Sequence, residues 1–540
     1  MSNHDTTTSK SLGERKSTLA LLILIILIGL ALRIWGIRWG LPSGQRLGTY
    51  HPDELVLLSA SSSINLMKLQ LNPHFYNYPS LLIYLLSLTF SSVAGRGLLN
   101  SGRVADLYIV ARLLCALFGV ISIYAVFLAG KRLYNTNAGL IAAGILAIMP
   151  LHVQHSHFLA VDVPAAFFVT ATLGAAAFLL RDARLRTYIL AGALAGLAAG
   201  TKYNCGLIFL SVITAGIFSA KAARRNCLIP LVAALFAAIL AFIFVTPGAI
   251  LWPQEFLRGF TYEFSHAASG HGYVFEAIGP GWLYTLTNSL GKGMGWPLLI
   301  LSLFAAVYAL LRRRREDLVI LAFVVPYYLI ISLSAVHFAR YVLPLLPPLA
   351  ILISTMVANL KPKIGNWGGA AFALVILYTL TYTIALDRLF VVPDPRDVAV
   401  RVVEKGLNEG ASIAVPTVPW FYSPPLVAGF GSLSQSERFA SMAHSKYHLI
   451  ADPNKDWNVE LVQKLRPEYI IISDYELVDA VRANAPGARN YMKFVQTNYQ
   501  LIKVFRNRLL PPIFGATMSL PHDMRYAAPE IEVYRATWQR

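Results

Sequence analysis

Cysteine is scarce: the 540-residue chain has three, Cys115, Cys205 and Cys227. They are scattered without metal-type spacing, which excludes a disulfide framework and a thiolate metal site. Charge is scarce too, at 14% Asp, Glu, Lys and Arg, against roughly a quarter in a soluble domain. Acid is scarcer than base, 28 against 46, for a formal charge of +18. That excess does not point to nucleic acid. The Lys and Arg fall in short clusters between apolar runs, the pattern of membrane topology signals, and no basic–aromatic nucleic-acid module occurs. No internal repeat or low-complexity segment is evident. What fills the chain is hydrocarbon: 56% hydrophobic residues and a mean hydropathy of +0.55. The composition predicts a polytopic membrane protein.

Apolar segments of near-spanning length lie at about 17–36, 108–130, 137–151, 163–180, 187–202, 204–220, 228–247, 294–311, 318–336, 342–360 and 367–386. A helix needs about 17–25 residues to cross the hydrocarbon core, so the sequence predicts about eleven crossings. The N-terminal "SKSLGERKSTLALLILIILIGLAL" begins like a signal peptide, but no small-residue cleavage site follows, and it reads as an uncleaved first span. Lys10, Arg15, Lys16, Lys131/Arg132, Arg181 to Arg186, Lys221 to Arg225, Arg312 to Arg315 and Lys361/Lys363 collect on one side. The short loops opposite hold only Lys202, Arg258, Lys292 and Arg340. Positive residues stay inside, which places the N-terminus in the cytoplasm. Arg33 and Arg38 lie on the disfavoured side, and Arg33 and Arg112 are expected to snorkel or pair within the bundle.

Residues 78–95, "YPSLLIYLLSLTFSSVAG", could pass for a span, but counting it would turn every later Arg cluster outward. They read as a helix at the interface or packed on the bundle. Beyond Asp387, short β-rich runs such as "SIAV" and "YIIIS" alternate with helical stretches. The predicted fold is an all-α membrane bundle over 1–386, with a first outer loop at about 37–107, followed by a C-terminal α/β domain over 387–540 on the extracytoplasmic side.

Chemically useful groups gather on that outer face. "YHPDE" supplies His51, Asp53 and Glu54. "HVQHSHFLAVDVP" supplies His155 and Asp162, and "GTKYN" supplies Lys202 and Tyr203. "YEFSHAASGHGY" supplies Glu263, His266 and His271, and "HFARYVLPLLPP" supplies Arg340 and Tyr341. Five loops on one face argue for a site at the outer boundary. The plainer alternatives are helix capping for Asp53, Glu54 and Asp162, snorkelling for Lys202 and Arg340, and surface hydrogen bonding for the histidines.

The ordered series "YHPDE", "NYPSLLIYLL", "ARLLCALFGVISIYAVFLAGKRLY", "HFLAVDVPAAFF", "GTKYN" and "RYVLPLLP" resembles the GT-C glycosyltransferases. Within them it resembles the protein O-mannosyltransferase-like and aminoarabinose-transferase-like group, over about residues 17–386. The resemblance implies a polyprenyl- or dolichyl-phosphate-linked sugar donor, mannose favoured, and an acidic motif in the first outer loop. It makes Asp53 the general base, with Glu54 orienting it or binding acceptor. Lys202 and Arg340, flanked by Tyr203 and Tyr341, would take the donor phosphate; Asp162, His51 and His155 would meet the sugar. Glu263-x-x-His266 with His271 would suit a divalent metal or the acceptor, and no other cofactor is called for. The acceptor hydroxyl would belong to a protein, a glycan or a lipid, and displacement at carbon would invert the anomeric centre. The rival classes are a secondary transporter, which calls for midplane charges and detectable halves, and a lipid-handling protein without transfer chemistry.

Overall fold

The computed structural model describes residues 3–43, 46, 48–91, 103–427 and 434–538. All eleven predicted apolar segments are helical. Among the described residues, seven helices are long and apolar enough to cross a bilayer, and an eighth is added if Gly281–Met294 and Trp296–Arg312, bent by 118°, count as one broken span. The shortfall from eleven has local causes. Thr136–Ala147 and Leu185–Ala199 have only 12 and 15 residues, and Arg315–Ser332 opens on Arg315, Glu316 and Asp317. The ambiguous 78–95 segment yields the helix Leu81–Ser91, whose 11 residues are too few to cross; positions 92–95 lie outside the described residues. Leu82, Ile83, Leu86 and Phe90 of this helix pack with Leu57 and Leu58 of the helix Pro52–Ser62 and with Tyr108, Ala111 and Cys115 of Val104–Leu133. The described residues of the first outer loop therefore include two short α-helices, Pro52–Ser62 and Leu81–Ser91, seated on the bundle.

Helices approach closely where side chains are smallest. A methyl group on Gly192 would stand 2.0 Å from the carbonyl oxygen of Ala234, and one on Gly196 2.1 Å from that of Ala238. Leu185–Ala199 and Leu228–Val245 thus touch backbone to backbone, as small residues spaced by four allow in membranes. Arg33 does not snorkel. It is fully buried and donates to the carbonyls of Gly29, Ala147 and Leu146 at 2.8–3.1 Å, with His152 Nδ1 at 3.0 Å.

After Asp387 the helix Pro395–Gly406 leads into a five-stranded sheet of order β2-β1-β3-β5-β4. The strands are β1 (Ser412–Ala414), β2 (His448–Ile450), β3 (Tyr469–Ser473), β4 (Tyr499–Phe505) and β5 (Ile531–Ala536). β1 pairs in parallel with β2 and β3, whereas β5 runs antiparallel between β3 and β4. The two-residue alternation of a strand sorts its side chains onto two faces. Ala414, Ile470, Ile472 and Tyr534 enter one apolar cluster; Ile413, Ile471, Ile531 and Val533 enter another.

A latch joins this domain to the first outer loop. Arg396, fully buried, donates to Asp394 Oδ1 and Oδ2 at 2.8 and 2.7 Å and to the Tyr526 carbonyl at 2.6 Å. Its guanidinium lies 3.5 Å from the centre of the Tyr50 ring. Trp39 Nε1 donates to Asp394 Oδ2 at 3.0 Å, and Arg46 to Asp397 at 3.1 Å.

Gly192→Leu should push the two closely packed helices apart. The expected loss, about 1–3 kcal/mol for overpacking, is read as a lower midpoint of thermal unfolding in detergent than for an exposed control such as Leu190→Ala.

Candidate active site

The adjacent acids of "HPDE" meet different fates. His51 caps the helix Pro52–Ser62, its Nδ1 accepting from the Asp53 N–H at 3.3 Å, and both acids fall in the first turn. Glu54 turns inward and is fully buried. Arg112 grips it with two donors, Nε to Oε1 and Nη2 to Oε2, each at 2.7 Å, and the Leu159 N–H adds a bond at 2.9 Å. Arg112 Nη1 also donates to the carbonyls of Ile37 and Trp39 at 2.7 and 2.6 Å. Burial alone would push the Glu54 carboxyl up, but the charge and hydrogen bonds of Arg112 outweigh it and hold the group below the usual carboxylate range. Glu54, expected to share in catalysis, has its oxygens engaged in scaffolding. Arg112, expected to snorkel or pair within the bundle, pairs with this acid.

Asp53 turns outward, its side chain 23% exposed, into a polar cavity of about 190 Å³. Arg340 faces it, with Nη2 3.3 Å from Asp53 Oδ2. The guanidinium rests 4.0 Å from the centre of the Phe338 ring, and Nη1 lies 3.4 Å from Tyr526 Oη. Glu263, His266 and His271 line the same cavity, joined by Tyr78 from the first outer loop and by Trp420, Phe421, His522 and Tyr526 from the C-terminal domain. Of the residues singled out in the sequence, Asp53, Arg340, Glu263, His266 and His271 therefore converge.

A second cavity of about 440 Å³, mostly apolar, shares Asn77, Tyr78 and Glu263 with the first. Lys202, Tyr203 and Tyr341 line it, with Phe242, Phe260, Phe264, Ile330 and Ile331. Lys202 does not snorkel. Its Nζ lies 2.6 Å from Asp162 Oδ1 and 4.5 Å from the centre of the Tyr341 ring. The same ring lies 5.9 Å from the Arg340 guanidinium, so one aromatic surface carries both cations. Tyr203 donates its hydroxyl to the Tyr76 carbonyl at 2.8 Å, and Asp162 is buried against its lysine.

His51 and His155 lie beneath the cavity wall rather than in it. His51 packs its ring 4.5 Å from Phe158 and 4.9 Å from Tyr526, centre to centre. His155 is fully buried with Nε2 3.9 Å from Asp523, beyond hydrogen-bond reach. His266 Nε2 and His271 Nδ1 are hydrogen-bonded at 2.9 Å. Burial, His266 and Arg340 lower the His271 imidazole to about 4, and burial and Arg340 lower that of His266. Both are therefore neutral near pH 7. Burial raises the Glu263 carboxyl. This set does not fit a divalent metal: the two imidazoles are spent on each other, and among the described residues no group of three or more His, Cys, Asp or Glu side chains converges to hold one.

Sequence reasoning missed the C-terminal wall. Its signals were the aromatic run "VPWFYS" and the "PHDMRY" segment, unusual in an otherwise polar tail.

Residues 105–252 match the model of a family described as dolichyl-phosphate-mannose-protein mannosyltransferase. Comparison with the curated proteins gives no match. Among solved structures, the chain is similar to the Archaeoglobus fulgidus oligosaccharyltransferase in the apo form, with a TM-score of 0.50 and 15% identity over 88% of this chain and 72% of that one. The archaeal AglB from the same organism, in complex with an inhibitory peptide and a dolichol-phosphate, gives 0.50 and 15% over 91% and 73%. ArnT from Cupriavidus metallidurans bound to undecaprenyl phosphate gives 0.50 and 14% over 95% and 97%. At such identities the likeness is one of fold: the chain has the GT-C fold, a helical membrane bundle followed by a small C-terminal sheet.

Removing one partner of a buried ion pair leaves the other charge unpaired. Glu54→Ala and Arg112→Ala should each destabilise the chain by about 3–5 kcal/mol. Arg112→Lys should not restore it, because a point charge cannot make the two-pronged contact. Unfolding midpoints in detergent give the check.

Proposed function

We propose that this GT-C chain is a membrane glycosyltransferase that moves a sugar from a polyprenyl- or dolichyl-phosphate donor to an acceptor hydroxyl. The observation that carries the reading is the adjacency of two cavities. A mostly apolar cavity bearing Lys202 shares Asn77, Tyr78 and Glu263 with a polar chamber bearing Asp53 and Arg340. A lipid-phosphate-sugar has the same succession of chemistries: hydrocarbon, anion, polyol. The undecaprenyl phosphate bound to the similar ArnT and the dolichol-phosphate in complex with the similar AglB are compatible with that occupant. The matched family's description favours mannose.

In this reading the lipid lies against Phe242, Phe260 and Phe264, and its phosphate enters between Lys202 and Arg340. Asp162 holds Lys202 in place, and the Tyr341 ring supports both cations. The leaving phosphate is a weak base, so it needs positive charge rather than a proton. Asp53 takes the proton of the acceptor hydroxyl as its oxygen attacks the anomeric carbon, and the single displacement inverts that centre. A phosphate at Arg340 competes for the guanidinium that Asp53 holds at 3.3 Å, which frees the carboxylate for the acceptor. Glu54 contributes by fixing the helix turn that carries Asp53. Trp420, Phe421 and Tyr526 offer ring faces to a pyranose or to the acceptor, which would be a protein, a glycan or a lipid. The distribution of the basic clusters supports a cytoplasmic N-terminus and a site on the extracytoplasmic side of the cell membrane.

Purified protein given mannosyl-phosphoprenol or a related donor together with a protein, glycan or lipid acceptor should release polyprenyl phosphate and form glycosylated acceptor. Asp53→Asn should lower turnover by about 10²–10⁴-fold with donor binding retained, whereas Lys202→Ala should weaken donor binding. Wild-type turnover by a folded Asp53→Asn protein would remove Asp53 from the mechanism.

Orientation is checked in a Cys227→Ser background, because Cys115 and Cys205 are buried. Single cysteines replacing Lys68 and Lys455 should react with an impermeant maleimide on intact cells. Those replacing Arg225 and Arg314 should react only after permeabilisation.

A further inference from the structure

Arg340 is reached from behind by a residue far along the chain. Asp523, fully buried in the C-terminal domain, accepts the Ala339 N–H at Oδ1 (2.9 Å) and the Arg340 N–H at Oδ2 (2.8 Å). These are the first residues of the 3-10 helix Ala339–Leu345. Both lone-pair sets therefore hold backbone, and the Arg340 guanidinium lies farther off, at 3.9 Å from Oδ2. Hydrogen bonds to a carboxylate are stronger than neutral ones, and two of them on successive amides fix the direction in which the Arg340 Cα–Cβ bond leaves the chain. Tyr526, three residues beyond Asp523, touches the far end of the same side chain at 3.4 Å. Phe338, the residue before the clamped pair, lies under it.

We propose that Asp523 is the positioning residue for Arg340: by clamping the Ala339 and Arg340 amides it aims the guanidinium at Asp53, so the polar chamber is complete only when the C-terminal domain is docked. The proposal deepens, and rests on, the reading of Arg340 as a cation for the donor phosphate. Asp523 touches no reacting group. It acts through Arg340 alone, and that restriction makes it testable. The clamp does not require His155, whose nearest nitrogen stands 3.9 Å from Oδ2.

The test uses the full-length protein in detergent, with Asp523→Ala and the isosteric Asp523→Asn, which lacks the second acceptor oxygen. Backbone hydrogen exchange by mass spectrometry should show the peptide over residues 336–345 exchanging faster in both variants, with the bundle helices unchanged. A short-chain polyprenyl phosphate should bind roughly tenfold more weakly to Asp523→Ala than to wild type. In an Arg340→Ala background, the same substitution should weaken binding by no more than about twofold. Unchanged exchange over 336–345 overturns the clamp, and equal losses with and without Arg340 show that Asp523 acts elsewhere. If wild-type protein binds no polyprenyl phosphate, the donor reading fails, while the exchange result still decides the clamp.

Discussion

The site depends on one buried ion pair. Arg112, on a bundle helix, closes its fork on Glu54 and spends its remaining donor on the carbonyls of Ile37 and Trp39. Leu159, just before the helix Asp162–Leu179, completes the shell around the carboxylate. Four separate stretches of chain are thereby tied to one charge: the exit from the first span, the Pro52–Ser62 helix, the second long helix and the loop before Asp162. Two ions removed from water are costly apart and tolerable together only with near-ideal geometry. That cost makes the arrangement specific, because few alternative placements of the first outer loop could satisfy both groups.

From that anchor the structure grows outward by alternation of charge and ring. Arg340 stands between Asp53 and Phe338, Lys202 between Asp162 and Tyr341, and Arg396 between Asp394 and Tyr50. Each cation is held by an anion on one side and a π face on the other, which retains charge in a low-dielectric setting. The Arg396 arrangement fastens the sheet domain to the first outer loop, and its bonds to the Phe421 and Tyr526 carbonyls set two of the aromatic walls. The C-terminal domain is therefore part of the chamber and not an appendage to it.

Much of this was legible in the residues. Long apolar runs became helices because a polar backbone has no other way to be satisfied in hydrocarbon, and the β-rich run "YIIIS" marked a strand. The span count was less readable, since hydropathy does not say whether a 12-residue apolar helix crosses or packs inside. Asp53 and Glu54 look alike in sequence; only the approach of Arg112, 58 positions away, separates a chamber acid from a scaffold acid. Lys202 and Asp162 were each identifiable, but not as partners. Asp523 and Tyr526 were out of reach, because what gives them meaning is contact with residues more than 180 positions earlier.

The helix Pro253–Ser269 carries a consequence for how such a chamber could be altered. Tyr262, Glu263 and His266 look toward the polar chamber, whereas Phe260, Phe264 and Ala267 look, with Glu263, toward the apolar cavity. Successive residues on a helix differ by about 100°, so a single rod supplies a wall to each compartment. If the proposed donor occupies the two cavities, sliding or turning this helix to fit a bulkier headgroup would also reshape the bed for its isoprenoid tail. Selectivity for carbohydrate and selectivity for lipid would then be mechanically yoked, and separating them would need changes at positions off this rod.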